Sequence, residues 1–120
     1  MNRATVADMR RHVEALASEH EILVDTRWVK RADRAYALRE ADGGANEVQI
    51  PPIRSAITYV TALHEIGHIL GPHQSSRSSL VRERWAWRWA RENAIVWTSG
   101  MQRTAARALA YCEERERRRR

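Results

Sequence analysis

The sequence predicts a small α+β domain, and three observations carry that prediction. A chain of 120 residues is the size of one domain. Apolar positions recur at helical spacing near its start and through its second half. Between those stretches lie short β-type runs around an Asp-Gly-Gly turn signal.

Residues 5–20 read as an amphipathic helix, with Val6, Met9, Val13, Leu16 and Ala17 recurring between charged positions. EILVDTRWV, 21–29, is β-branched and apolar and reads as a strand. RAYALREADGGANEVQI reads as a hairpin, with Tyr36 and Leu38 on one arm and Val48 and Ile50 on the other. Its DGG supplies the positive φ values of a tight turn. Pro51 and Pro52 end the second arm and place it at a sheet edge, because proline has no N–H for a ladder. From Arg54 to Leu70 the pattern is helical, until Gly71-Pro72 stops it. HQSSRSS is a polar loop in which Ser78 or Ser79 can cap a helix over 80–97. Thr98 or Ser99 can cap a last helix over 101–115. The expected order is therefore a helix, a three-stranded antiparallel-type sheet with an exposed edge strand, then three helices.

The formal charge is +6, which invites a nucleic-acid reading. However, Arg115–Arg120 hold five arginines and one glutamate, which leaves only +2 on the remaining 114 residues. The basicity is a terminal run, expected to be a solvated, disordered tail over 115–120, with the folded domain over 1–114. Nucleic acid contact is expected only through that tail. No apolar run is long enough to span a membrane, and the N-terminal residues lack the apolar segment of a secretory signal. Cys112 is the single cysteine, which suits a reducing compartment, so the expected location is the cytoplasm.

The chemistry-bearing stretch is TALHEIGHILGPHQ, 61–74. On a helix, residues four apart lie on one face, so His64 and His68 can both direct an imidazole at one metal ion. Glu65 lies about 100° round, too far to be an equal ligand but close enough to take a proton from a water in the remaining position. Two ligands and a general base on one helical turn are the mechanical content of H-E-x-x-H, and the expected ion is Zn2+. Gly67 costs a helix interior about 1 kcal/mol relative to alanine, so close approach of another backbone beside the site is expected to compensate.

ALHEIGHILG followed by RERWAWRWA resembles the ImmA/IrrE-type zinc metallopeptidases, many of them carried by phages and mobile elements. The resemblance covers about residues 55–97. It implies a zincin-like fold of the gluzincin branch, in which a glutamate on a following helix completes the His-His pair. It also implies an intracellular substrate such as a DNA-binding repressor and, for a phage-borne protein, location in the host cytoplasm. Glu83, Ala86, Trp89 and Ala90 match the family's second pattern, whereas Trp85 stands where a second acidic residue would be.

Three residues after His68 are candidates for the third ligand: His73, Glu83 and Glu92. Counting about 100° per residue from Glu83, the tryptophans and alanines of this helix gather around Glu83, while Arg84, Arg88, Arg91 and Glu92 gather on the opposite arc. Glu83 thus faces the core, where an unpaired carboxylate is costly and a metal ion is a partner. His73 is the rival, one residue short of the metzincin spacing that would fall on Gln74. His12 and His20, on the first helix, read as surface residues, and Trp85, Trp89 and Trp97 as core packing.

Two function classes follow. The first is a zinc metalloendopeptidase that binds an extended stretch of a regulatory protein along the edge strand at Asn46, Val48 and Ile50 and cleaves it. The second is a non-catalytic zincin-fold regulator that binds protein or nucleic acid.

Overall fold

A computed structural model describes residues 4–119. Thr5 caps α1 (Val6–Glu19) in a capping box with Asp8, and Met9, Val13 and Ala17 turn inward at the predicted spacing. Three short strands follow: β1 (Leu23–Asp25), β2 (Tyr36–Leu38) and β3 (Glu47–Gln49). Ser55 caps α2 (Ala56–Leu70), Ser78 caps α3 (Ser79–Asn93) and Thr98 caps α4 (Ser99–Arg118). Four helices and a three-stranded sheet make the α+β domain that the sequence predicts. Among the described residues no helix is long and apolar enough to cross a membrane.

The sheet corrects two expectations. Its order is β1-β3-β2, so β3 is the central strand and not an edge. It is also mixed: β2 pairs antiparallel to β3 as a hairpin arm should, but β1 pairs parallel. The prolines do not force an edge because pairing ends just before them. Ile50 N–H still donates to Asp25 O at 3.0 Å, and Pro51 begins the exit. Val48 and Ile50 are fully buried, and Asn46 is occupied at the loop, its side chain accepting from Glu40 N–H at 2.6 Å. None of the three is placed to meet an extended substrate. The turn is longer than a tight hairpin: a 3-10 turn at Glu40–Asp42 precedes Gly43 (φ 94°) and Gly44 (φ 116°), whose positive φ was expected.

Element ends also differ. The strand expected over 21–29 shortens to β1 because the Asp25 carboxylate accepts Arg27 N–H at 2.9 Å and turns the chain. The helix expected over 80–97 stops at Asn93, because Ile95 N–H donates to Tyr59 OH at 3.0 Å instead of to a helical carbonyl. The basic end is helical through Arg118 rather than a disordered tail. Glu114 accepts from Arg117 at 2.7 Å and Arg118 at 3.3 Å, and arginines offset the dipole at a helix C-terminus. Arg120 lies outside the described residues.

The core surrounds α2, between the sheet and α1, α3 and α4, with Tyr59, Val60, Leu63 and Ile66 fully buried along α2. His20 is exposed, as expected, whereas His12 is half-buried. Its Nδ1 sits 2.6 Å from Tyr59 OH, which also holds Ile95, so one hydroxyl ties α1 and the α3–α4 connection to α2. Burial lowers the His12 pKa below its ordinary 6.5. As pH falls, the unfolded chain therefore takes up this proton before the folded one does. Stability from His12 is present above pH 6.5 and is lost as pH drops through 6.5 toward the folded value. Urea midpoints at pH 8 and pH 5 should differ more in the wild type than in His12→Gln. An equal difference in both would remove His12 from the acid sensitivity.

Candidate metal centre

α2 carries His64 and His68 on one face, and α3 packs against that helix at Gly67 and Ala86. The helices approach so closely that a Cβ on Gly67 would stand 2.6 Å from Ala86 O. This is the backbone approach expected from a glycine between two histidines. It sets Glu83, one turn before Ala86, opposite the imidazoles. His64 Nε2 lies 2.7 Å from Glu83 Oε2, and His68 Nε2 lies 2.9 Å from Glu83 Oε1. The three side chains offer ligand atoms within 4.8 Å of one another and form a group that could hold a metal ion. Tetrahedral bonds of about 2.0–2.1 Å put ligand atoms about 3.3–3.4 Å apart, so a modest opening accommodates an ion.

The other edges of both rings are occupied, and this aims Nε2 inward. His68 Nδ1–H donates to Gln74 Oε1 at 2.8 Å. The Gln74 amide is itself fixed, donating to Pro72 O at 3.2 Å and Arg82 O at 2.9 Å, which leaves its oxygen for His68. His64 Nδ1 lies 3.0 Å from Glu65 Oε2, and its ring stacks on Trp87 at 4.1 Å with 14° between planes. Such outer partners set tautomer and orientation in metal sites.

The electrostatics suit a cation. Burial opposes a charge on His64, but the hydrogen bonds and fields of Glu65 and Glu83 outweigh it and push the His64 pKa up to about 9. For Glu83, burial favours the neutral acid, yet the two histidines hold it far below the usual carboxylate range. A metal taking Nε2 must displace the proton that these carboxylates favour on His64.

The remaining candidates are elsewhere. His73 has φ 61°, which turns its ring outward to lie 4.6 Å from that of Trp85 and turns the next side chain, Gln74, inward. His73 is exposed and not with the group, so the rival scheme is not what the fold builds. Glu92 is exposed and pairs with Arg88 at 2.8 Å. Trp89 and Trp97 are half-buried and pack against the core as expected, whereas Trp85 lies against His73 and Trp87 takes the buried place.

A cleft of about 1080 Å³ opens over the group. One wall is β2 with its flanks, from Ala35 to Arg39; the other is α4. β2 has β3 on one side only, so its outer backbone edge faces the cleft unpaired by any described strand. Arg39 closes one end, its guanidinium bonded to Gln74 O and to Ser75 Oγ at 3.1 Å. Gln74, Trp87 and Arg39 were not predicted as site residues. The only sequence signal for Gln74 was its metzincin spacing, which belongs to a different ligand scheme. No protein-family model, curated protein or solved structure matches the chain.

Proposed function

We propose that the protein is a zinc-dependent endopeptidase of the cytoplasm that cleaves an extended segment of an intracellular regulatory protein, a DNA-binding repressor being the first candidate. The convergence of His64, His68 and Glu83 under an open sheet edge supports this reading most directly. Two imidazoles and one carboxylate favour a borderline ion such as Zn2+ over the hard cations Mg2+ and Ca2+. With both histidines neutral, Glu65 and Glu83 supply two negative charges, the complement of a divalent ion. The group supplies Lewis acidity when bound, polarising a carbonyl and acidifying water.

The chain's own residues would do the rest. β2 offers N–H and C=O groups along Tyr36–Leu38 to an antiparallel peptide, replacing the Asn46–Ile50 strand as the substrate edge. Only Oε2 of Glu65 is engaged among the described residues, so Oε1 is left to accept a proton from the attacking water. As the C–N bond breaks, Glu65 returns that proton to the leaving nitrogen, and the water oxygen stays on the new carboxyl. Gln74 and Trp87 hold the two imidazoles in place throughout.

Metal removal tests the reading. Chelated protein should lose hydrolysis of an unstructured protein substrate, regain it with stoichiometric zinc, and remain folded by circular dichroism. Hydrolysis that survives complete chelation would sink the proposal. The non-catalytic alternative has no specific observation in its favour, although the basic end of α4 is available to a polyanion.

A further inference from the structure

Among the described residues, the cleft contains one charged side chain with no partner. Among its charged residues, Asp33 pairs with Arg31, Asp42 with Arg39, Arg82 with Ser76 O, and Glu65, Glu83 and the histidines with one another. Arg107 alone has neither an ion pair nor a hydrogen bond among the described residues, although it lines the same cleft. It does so by register: Thr104, Arg107, Ala108 and Tyr111 are spaced i, i+3, i+4 and i+7 and form the stripe that α4 turns to the cleft. Tyr111 is 64% exposed on that stripe, its ring covered by the Arg115 guanidinium at 5.8 Å, so the wall presents a phenol one turn from the Arg107 guanidinium.

We infer that Arg107 selects substrates by a carboxylate, either an acidic side chain or the C-terminus of the peptide. This deepens the peptidase reading and rests on it. A peptide paired with β2 lies across the cleft from α4, and its side chains alternate in direction. Those on the sheet face turned to α4 approach the Arg107–Tyr111 stripe. A guanidinium offers a planar fork that matches a carboxylate in two parallel hydrogen bonds, and Arg107 has no ion-pair partner among the described residues. Arg39 and Arg82 cannot play this part, since both are spent on loop carbonyls.

The test uses zinc-loaded Glu65→Gln protein, so that peptides bind without turnover, and fluorescence anisotropy of labelled short peptides. One series carries a glutamate at each position in turn with an amidated C-terminus. A second replaces each glutamate by glutamine, and a third is the glutamine peptide with a free C-terminus. The expected result is about fivefold tighter binding of one carboxylate series, weakened by salt. That preference should vanish when Arg107→Gln is added and should turn toward lysine peptides with Arg107→Glu. Preference for the first series names an acidic side chain, and for the third the peptide C-terminus. Equal binding of all three, no binding of any, or a preference that survives Arg107→Gln overturns the inference. Cleavage by wild type without carboxylate preference removes this inference alone; preference without cleavage removes the peptidase reading and leaves Arg107 as a binding residue.

Discussion

Replacing Glu65 with glutamine is expected to lower peptide hydrolysis by a factor of about 10²–10⁴ while leaving zinc in place. The two halves of this result separate the proposed general-base role of Glu65 from its contact with His64. Glu65 Oε2 lies 3.0 Å from His64 Nδ1 and orients that ring. A glutamine oxygen can accept the same bond, so His64 should keep its tautomer and its metal. Glutamine cannot take up a proton from water and return it to a leaving nitrogen. The factor corresponds to about 3–5 kcal/mol of barrier, typical of losing a positioned general base. A rate within tenfold of wild type, at full zinc occupancy, would reduce Glu65 to a residue that positions His64.

Gly67→Ala should destabilise the fold and weaken the metal together, against the ordinary direction of that substitution. In a helix interior, alanine is favoured over glycine by about 1 kcal/mol. Here the new methyl would stand 2.6 Å from Ala86 O and 3.2 Å from Ala86 Cα, both parts of rigid helical backbone. α3 must shift outward, at a cost of about 1–3 kcal/mol for overpacking that outweighs the propensity gain. Glu83 rides on α3 three residues from that contact, so the same shift draws its carboxylate away from the imidazoles. A urea melt and a zinc titration of the variant should both move, whereas helix propensity alone would raise the urea midpoint. A more stable Gly67→Ala with unchanged zinc affinity would mean that the helices are free to separate.

How much of this was legible in the sequence depended on whether the signal was local. Helical spacing along α1 and α2, the serine and threonine caps, and the inward set of Glu83 are decided by neighbours within a turn or two, and the sequence carried them. The glycine between the histidines also announced its close contact, since little else justifies its cost in a helix. The sheet order was not legible. The prolines after Gln49 suggested an edge, but whether β1 returns to the far side of β3 is a long-range matter that no local spacing records. The edge open to pairing consequently moved from Asn46–Ile50 to β2. Gln74 was hidden for a different reason: its inward turn follows from the left-handed backbone of His73, a conformation that histidine's identity does not dictate.

Zinc content and affinity of four proteins test the central claim most directly. By elemental analysis, wild type should carry about one zinc per chain, and His64→Ala/His68→Ala none. Glu83→Gln should bind zinc far more weakly, because it removes the charge that faces both imidazoles at 2.7 and 2.9 Å. His73→Ala should bind it as wild type does, since its ring lies against Trp85 and away from the group. Folded wild-type protein that refuses zinc, or an affinity that falls with His73 and not with Glu83, would contradict the account.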